Sequence, residues 1–390
     1  MTVNAIQTRR TDPYSPPAEH LELQGDEPVA FLDWRDGRKA WAITKHADVR
    51  TMLSDVRFSS DRSYPDHPAH GGYVPGAHKG AIIAIDPPEH SAIRSRVMNE
   101  FTVKKISLMR PRIEEIVAEA LDAMLDGKSE AELVKELSLP VPAMAIAELL
   151  GVPYEDHEFF EHNTAIFADS SHTDPSQRVE AIGKLRDYIS KLVDARMDAR
   201  GNDILSRQLD AGLDAEEAVG LGFLLLIAGH ETTANMISLS IMTLLDKPDL
   251  LQQLRDDPSL IPGAVEELLR YFTIAEVGGL RLATTDLEIG GKRIHAGDAV
   301  YGLTNTANRD PEVFPDPHTI DFKRGARNHM AFGFGPHQCL GQNLARLELV
   351  VVLEQVIQRV PTLRLLDPIS AIAFKEWGPN YGISELRVAW

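Results

Sequence analysis

Residues 332–341 read Phe-Gly-Phe-Gly-Pro-His-Gln-Cys-Leu-Gly and contain Cys339, the only cysteine of the 390-residue chain. The glycines and the proline of this stretch disfavour a regular helix or strand, and they predict a tight loop whose backbone can approach a large flat partner closely. From residue 342 to residue 360 the apolar positions form two stripes, which predicts a largely buried helix. Cys339 is therefore predicted to lie at the N-terminus of a buried helix.

The predicted position of Cys339 favours a metal-binding thiolate. Free backbone N–H groups and the positive end of a helix dipole lower the pKa of a thiol. The alternative is that Cys339 is a small buried hydrophobic residue, as lone cysteines usually are. Zinc is a poor candidate because its structural sites need about four Cys or His ligands, and the chain has no second cysteine. A single thiolate on a glycine-rich loop fits a porphyrin iron with one axial sulfur ligand.

The loop resembles the haem-binding loop of the cytochrome P450 family at Phe332, Gly335, His337, Cys339 and Gly341. The resemblance extends through separated motifs over residues 25–390. It implies a mainly α-helical fold with small β-sheets, in which haem b (heme, iron protoporphyrin IX) lies between a long central helix and the helix after Cys339. It also implies that Cys339 is the axial ligand of the haem iron and that Phe332, Gly333, His337 and Gly341 contact the cofactor.

Composition and charge limit the classes of protein to which the chain can belong. The apolar fraction of 43% and the charged fraction of 25% are ordinary for a soluble globular protein. A formal charge of −18 argues against nucleic acid or an anionic membrane as the main partner. We see neither an export signal nor a long apolar span, and we expect a cytoplasmic, monomeric enzyme. Residues 1–24 are expected to be a flexible segment, and residues 25–390 one domain.

A long helix is predicted from Asp214 to Lys247. Asp214 and Glu217 have the spacing of a capping box, and about 30 helical residues give a length of roughly 45 Å. The apolar middle of this helix contains Ala-Gly-His-Glu-Thr-Thr at residues 228–233. A glycine inside a helix costs about 1 kcal/mol, and such local violations often mark a functional site. The helix is therefore a second candidate for functional residues.

Glu231 and Thr232 are the predicted catalytic residues of this helix. A buried carboxylate needs a partner, and a threonine can bond a carbonyl of its own helix and open the turn for a ligand or water. The alternative is that Glu231 only reaches solvent or a salt bridge. Ala-Gly-x-Glu-Thr-Thr is the oxygen-activation motif of the resembled family, and the resemblance implies that Thr232 holds dioxygen or water, that Glu231 supplies protons, and that Ala228 contacts the haem.

Four basic residues are predicted to bind the haem propionates. His90 and Arg94 are four residues apart and share one face of a predicted helix, so both could reach the same anion. The resemblance implies that this anion is a propionate. Arg281 is a second candidate because a planar guanidinium suits a carboxylate. His337 completes the set, and His329 is a weaker candidate.

Glu267 and Arg270 are predicted to be structural rather than catalytic. A Glu and an Arg three residues apart are common on exposed helices. In the resembled family this Glu-x-x-Arg pair pins a later loop behind the cysteine, and residues 314–324 are expected to supply its partner.

Several segments outside these motifs are expected to line the substrate pocket. Asp36-Gly37 predicts a hairpin, and Gly290-Gly291 predicts another. Residues 59–80 predict a long loop with His67, His70 and His78, whose spacing matches no strong metal pattern. The expected pocket-lining segments are residues 61–85, 170–190, 274–280 and 379–384.

These interpretations predict a haem-thiolate monooxygenase that hydroxylates a bulky organic molecule in secondary metabolism. It would use O2 and electrons from NAD(P)H, delivered through a separate reductase and a ferredoxin. Oxidative coupling of aromatic groups in a peptide or diketopiperazine, peroxide-driven oxidation and a haem-thiolate ligand sensor are the alternatives. A basic patch beside the cysteine loop is the predicted ferredoxin-docking surface, and it comprises Lys104, Lys105, Arg110, Arg112, Lys323, Arg324 and Arg327. The alternative is that these are scattered, solvated charges that form no patch.

Overall fold

The computed structural model describes residues 6, 9–34, 37–69, 82–168, 174–275, 278–375 and 380–390. Over these residues the chain is mainly helical, as the resemblance implied. The α-helices are α1 (Ala18–Asp26), α2 (His46–Ser54), α3 (Glu89–Met98), α4 (Val103–Ser107), α5 (Arg110–Leu125), α6 (Pro140–Leu150), α7 (His157–Ala168), α8 (Pro175–Asp198), α9 (Ile204–Asp210), α10 (Ala215–Asp246), α11 (Pro248–Asp256), α12 (Ile261–Phe272), α13 (Thr304–Ala307) and α14 (Gln342–Arg359).

Short strands pair into small sheets. The strands are β1 (Val29–Asp33), β2 (Lys39–Ile43), β3 (Phe58–Ser59), β4 (Glu130–Glu132), β5 (Leu280–Ala283), β6 (Leu287–Ile289), β7 (Lys292–Ile294), β8 (Ala299–Gly302), β9 (Arg364–Leu365) and β10 (Arg387–Ala389). One sheet has the order β1-β2-β8-β5-β3, another has the order β4-β10-β9, and β6 pairs with β7. The hairpins predicted at Asp36-Gly37 and Gly290-Gly291 correspond to the antiparallel pairs β1–β2 and β6–β7.

The 32-residue helix α10 organises the core. Its start is the predicted capping box: Asp214 accepts from the Glu217 N–H at 2.9 Å, and the Glu217 carboxylate accepts from the Asp214 N–H at 2.9 Å. The helix packs against α6, α8 and α14, and its apolar side chains belong to the largest buried cluster. Because α10 is enclosed by other helices, polar groups in its middle face protein or an internal space rather than bulk water.

The N-terminal segment differs from the expected flexible tail of residues 1–24. Helix α1 spans the expected boundary at residue 24, and its Leu23 and Gln24 are buried. The Gln24 amide donates to the Thr44 and Thr306 carbonyls at 2.8 and 2.9 Å, and Tyr14 donates to Asp246 at 2.7 Å. These contacts attach residues 14–26 to the main body. Helix α1 was not predicted, because the segment is polar and partners such as Thr306 are distant in sequence.

A bilayer-crossing segment was not expected from the sequence. Among the residues described above, the helices lack the combination of length and apolar character that crossing a membrane requires.

Candidate active site

The cysteine loop is shaped by its glycines and by one backbone hydrogen bond. The Cys339 N–H donates to the Phe332 carbonyl at 2.8 Å, which closes the loop around a short 3₁₀ turn at Gly335–His337. Gly333 and Gly335 have φ of 69° and 73°, a region that side chains other than glycine rarely adopt. A Cβ on Gly335 would also lie 2.5 Å from the Leu53 carbonyl oxygen. The loop therefore follows from this glycine pattern, as the sequence predicted.

The Cys339 side chain is accessible although protein surrounds it on most sides. This desolvation raises the pKa of the Cys339 thiol, while backbone N–H groups of Gly341 and Gln342 and the nearby Arg94 guanidinium lower it. From the sequence, the helix terminus was expected to favour the thiolate. The local donors act in that direction, but burial outweighs them in the protein alone. Coordination by a metal ion deprotonates a thiol outright, so ligation remains compatible with this environment.

Basic residues distant in sequence meet beside the cysteine loop. The rings of His90 in α3 and His337 in the loop lie 4.1 Å apart between centroids. Arg94, one helical turn beyond His90, donates to the Gln338 carbonyl. Arg281 in β5 is buried, and its guanidinium donates to the Leu280 carbonyl at 2.7 Å. The structure thus brings the four predicted propionate-binding residues into one cluster with the cysteine loop.

Among the described residues, this cluster carries more basic than acidic groups. Burial, together with Arg281, His90 and Arg94, lowers the pKa of His337 to about 3. Burial lowers the pKa of Arg281 to about 10. Asp86 is the carboxylate that attracts Arg281. Its oxygens already accept hydrogen bonds from the Ser60 N–H at 2.8 Å and from the Ser59 hydroxyl. Both ring nitrogens of His90 are buried with no hydrogen-bond partner in the described part of the chain. Such a cluster suits additional anionic groups.

The motif in α10 adopts the predicted local geometry. The Thr232 hydroxyl donates to the Ala228 carbonyl at 2.7 Å, one turn earlier in the helix. Ala228 is exposed even though it lies in the middle of an enclosed helix, which indicates an internal space beside it. Close packing explains why residue 229 is a glycine, which could not be predicted from the sequence. A Cβ at this position would lie 2.7 Å from Ile146 of α6.

Glu231 has a partner that the sequence analysis did not name. Its Oε1 accepts from Lys375 Nζ at 2.9 Å, and the same ammonium donates to Asn235 Oδ1 at 3.0 Å. The two side chains of the ion pair are only 15% and 8% exposed. Of the alternative stated above, the salt bridge is therefore present, while an exposed surface carboxylate is not.

Comparisons with known proteins agree with this geometry. Residues 158–361 match the family model described as Cytochrome P450. A vitamin D3 dihydroxylase from Streptomyces griseolus is 44% identical, covering 99% of this chain and 97% of the relative. A pentalenic acid synthase from Streptomyces avermitilis is also 44% identical, with the same coverage of both chains. The crystal structure of cytochrome P450 MoxA from Nonomuraea recticatena has a TM-score of 0.93 and 44% identity, covering 99% of this chain and 98% of that one.

The chain belongs to the cytochrome P450 family. The resemblance of the cysteine loop, the mainly helical fold and the class of haem-thiolate monooxygenase are thereby confirmed. As a P450 it uses haem and O2. It is similar to enzymes from Streptomyces over nearly its whole length.

The residues of this P450 fit haem. The accessible Cys339 thiol is a suitable axial ligand, and the neighbouring basic cluster suits two propionates. A Cβ on Gly341 would meet no atom within 4 Å, and one on Gly333 would only reach the His337 carbonyl at 4.0 Å. The loop backbone is therefore open where a flat group has to approach. Within the described ranges, no cluster of three or more His, Cys, Asp or Glu side chains could hold a metal ion by itself.

The Glu267–Arg270 pair of this P450 is fully buried and binds the segment that precedes the cysteine loop. Arg270 donates to both Glu267 oxygens at 2.8 Å, and its Nη1 donates to the carbonyls of Asn308 and Pro317 at 2.8 and 3.0 Å. Arg324 supplies a second cation to Glu267 at 3.0 Å. The expected partners from residues 314–324 are thus present.

His329 is not among the basic residues around His90. Its Nε2 lies 3.1 Å from Glu266, which also binds Arg346 at 2.5 and 3.0 Å. The Arg346 guanidinium lies 4.5 Å from the centre of the Phe332 ring. Burial alone would raise the pKa of Glu266, but His329 and Arg346 hold it at about 2. His329 therefore contacts the cysteine loop indirectly, through Glu266 and Arg346, and the weaker suggestion that it binds a propionate is wrong.

Gly279 allows a close approach to the neighbouring strand β8, because a Cβ there would lie 2.0 Å from the Gly302 carbonyl oxygen. Of the three histidines in the predicted loop of residues 59–80, only His67 lies within the described residues. It is buried and accepts from the Ala69 N–H at 3.0 Å.

Most of the predicted basic patch is already paired with carboxylates. Lys105 binds Glu100, and Arg324 binds Glu267. Arg110 and Arg112 are likewise surrounded by glutamates of α5, α6 and α14. Lys104, Lys323 and Arg327 take part in no ion pair among the described residues. The unpaired part of the predicted basic patch is therefore smaller than the sequence suggested.

Proposed function

We propose that this P450 hydroxylates a bulky organic molecule of secondary metabolism with O2. The observation that carries the proposal is the accessible Cys339 thiol next to a buried basic cluster that suits the haem propionates. The names of the relatives support the substrate class, since they describe a vitamin D3 dihydroxylase and a pentalenic acid synthase. Neither name supports oxidative coupling or a sensor. We further propose that residues 25–390, together with the attached residues 14–24, act as one monomeric domain in the cytoplasm.

Cys339 is proposed as the axial ligand, and His90, Arg94, Arg281 and His337 as donors to the propionates. Ala228, Phe332, Gly333 and Gly341 would contact the remaining surface of the cofactor. When bound, the haem supplies the oxidising chemistry that inserts one oxygen atom into the substrate. The contribution of the protein is to orient the cofactor, to exclude water and to supply protons at defined atoms.

Glu231 and Thr232 are proposed as the proton relay. Thr232 is adjacent to Glu231 in α10, and its hydroxyl, already bonded to the Ala228 carbonyl, can still accept a hydrogen bond from a ligand or water. The Glu231 carboxylate is partly exposed at 15%, so a water molecule in the internal space can return a proton after Glu231 gives one up. This arrangement favours dioxygen over peroxide as the oxidant, because peroxide brings its own protons.

Electrons are proposed to come from NAD(P)H through a ferredoxin reductase and a ferredoxin. Lys104, Lys323 and Arg327 are the members of the predicted basic patch outside the ion pairs of the described residues, and we propose them as the docking surface. Val103 and Leu108, both highly exposed at 68% and 76%, flank Lys104. Positive charges around exposed apolar side chains suit an acidic electron carrier. A reduction rate that stays unchanged when Arg327 is replaced by glutamate would count against this docking surface.

The proposal is tested by ligand titration followed by isotope labelling. The purified haem-loaded protein is titrated with vitamin D3, a sesquiterpenoid acid, a macrolide and a cyclic dipeptide while the Soret band is followed. Compounds that shift the band saturably are then turned over under ¹⁸O2. One labelled oxygen atom in the product supports hydroxylation. A dehydrogenated, cross-linked product without label would instead establish oxidative coupling.

A further inference from the structure

We propose that Lys375 is the positioning residue for the proton relay. It holds Glu231 Oε1 against the C-terminal hairpin formed by residues 373–375 and 380–384, and it leaves Glu231 Oε2 to exchange protons. This inference rests on the proposed role of Glu231.

The ion pair is enclosed and shared with a third residue. Lys375 Nζ lies 2.9 Å from Glu231 Oε1 and 3.0 Å from Asn235 Oδ1, and its side chain is only 8% exposed. Glu231 and Asn235 are four residues apart and therefore lie on one face of α10. A lysine is rarely this buried unless it is paired, and an enclosed ion pair is costly to separate because each charge would lose its partner. The contact should therefore persist in solution.

The backbone that carries Lys375 is held firmly. The Lys375 N–H donates to the Gly382 carbonyl at 2.9 Å, and the Ser384 N–H donates to the Ala373 carbonyl at 2.8 Å. Across this hairpin the rings of Phe374 and Tyr381 are stacked, with 5.7 Å between centroids. The ammonium of Lys375 thus projects from a fixed position rather than from a loose loop.

Gly382 makes room for this arrangement. A Cβ at Gly382 would lie 2.2 Å from Asn235 Oδ1, the atom that accepts from Lys375. Any larger residue at position 382 would displace the Asn235 amide. The close approach of the hairpin to α10 therefore depends on a residue without a side chain at this one position.

The ion pair with Lys375 restricts the Glu231 carboxylate to fewer conformations. An unrestrained glutamate side chain samples many rotamers, and restricting it in advance raises the fraction of time that a donor spends in a productive geometry. Because Lys375 binds only Oε1, the other carboxylate oxygen is left for proton exchange. Loss of Lys375 should therefore slow proton delivery without removing the acid itself.

The experiment compares Lys375→Met, Lys375→Arg and Glu231→Gln in the haem-loaded protein, with a surrogate ferredoxin system, NADPH and vitamin D3 as the probe. The measured quantity is hydrogen peroxide released per NADPH consumed, which is defined whether or not vitamin D3 is oxidised. We expect Glu231→Gln to raise this ratio most. Lys375→Met should raise the peroxide ratio by about threefold. This effect is smaller than the roughly 10²–10⁴-fold contribution of general acid catalysis, because Glu231 is still present and only its position is disturbed. Lys375→Arg should stay close to the wild type.

Two controls separate the possible failures. Lys292→Met removes a lysine that pairs with Glu27 at the same 2.9 Å on an exposed surface, and it should leave the ratio unchanged. The double variant Glu231→Gln/Lys375→Met should match Glu231→Gln alone, since Lys375 acts through Glu231. A wild-type ratio for Glu231→Gln would refute the relay. A raised ratio for Glu231→Gln with a wild-type or lower ratio for Lys375→Met would refute only the positioning role.

A measurement without turnover tests the contact itself. Urea unfolding of the wild type, both single variants and the double variant gives the coupling between Glu231 and Lys375. We expect the two single losses of stability to be non-additive. Additive losses would mean that the ion pair is not formed in solution and would overturn the proposal.

Discussion

The imidazole rings of His90 and His337 lie 4.1 Å apart between centroids, although one belongs to α3 and the other to the cysteine loop. Arg94 extends from the same helix as His90, and Arg281 reaches the cluster from β5. Among the residues that the structure describes, these basic groups are not matched by an equal number of carboxylates, which is unfavourable for the protein alone. The cluster therefore suits an additional anion.

The first prediction concerns Arg281 and this anion. Arg281→Leu should increase the haem dissociation rate roughly ten- to hundredfold, since a hydrogen bond to a charged group contributes about 1.5–3 kcal/mol. The free energy of unfolding of the haem-free protein should stay the same or rise, because a desolvated charge is removed. Haem transfer to apomyoglobin and urea unfolding measure the two effects.

Arg309 provides the matched control. Burial lowers its pKa to about 10, as for Arg281, but its guanidinium donates to the Tyr14 and Tyr271 carbonyls at 2.8 Å. Arg309→Leu should destabilise the haem-free fold by a few kcal/mol, at about 1–3 kcal/mol for each buried carbonyl left unpaired. Its effect on the haem dissociation rate should be small. Identical behaviour of the two variants would contradict a specific role for Arg281.

The second prediction concerns Thr232. Thr232→Ala removes the hydroxyl that donates to the Ala228 carbonyl and is proposed to hold dioxygen or water. NADPH consumption should continue while the product formed per NADPH falls severalfold, since general acid catalysis contributes roughly 10²–10⁴-fold and Glu231 remains. Thr232→Ser, which keeps the hydroxyl, should retain most of the coupling. Intact coupling in the alanine variant would show that the relay does not use this hydroxyl.

The third prediction concerns the buried pair of Glu267 and Arg270. Arg270→Met leaves the Glu267 carboxylate, only 1% exposed, without its bidentate partner. The free energy of unfolding should fall by about 3–5 kcal/mol, the usual cost of breaking a buried pair. Arg324→Met should cost less, because Arg270 would still bind both Glu267 oxygens. Equal losses in urea unfolding would argue against this ranking.

The fourth prediction concerns pH and Glu348 of α14. Burial raises the pKa of Glu348 to about 8 from an ordinary value of 4.5. Since the pKa is raised in the folded state, its stabilising contribution is complete below 4.5 and is lost as the pH rises through about 8. Glu348→Gln stays neutral, so it should match the wild type near about pH 5 and exceed it by a few kcal/mol near about pH 9.

Urea unfolding at both pH values measures this difference. Glu354→Gln on the same helix is the control, because the Glu354 side chain is 36% exposed and pairs with Arg110. It should show no comparable gain at high pH. A wild type as stable as Glu348→Gln at high pH would mean that the Glu348 carboxyl has access to water.

Features encoded locally were predictable from the sequence. The cysteine loop follows from its glycines, the start of α10 follows from Asp214 and Glu217, and the β6–β7 hairpin follows from Gly290-Gly291. Each of these depends on residues within a few positions of one another. The basic cluster was predicted only through the family resemblance, because its members lie far apart in the chain.

Features that depend on distant contacts were missed. Lys375 is 144 residues from Glu231, and no local pattern around either residue points to the other. The same holds for Arg309, which binds the Tyr14 carbonyl 295 residues away. His329 was misassigned because its partner Glu266 comes from α12. Neighbours in space that are remote in sequence leave no periodic or compositional signal in a single chain.

The central claim is that Cys339 is the axial ligand of the haem iron, and the reduced carbon monoxide difference spectrum tests it most directly. The wild type should give the red-shifted Soret band typical of thiolate ligation. Cys339→Ser, loaded with haem under the same conditions, should lose that band or fail to retain haem. A Cys339→Ser protein that keeps the thiolate-type band would show that the ligand lies elsewhere and would contradict the account of the site.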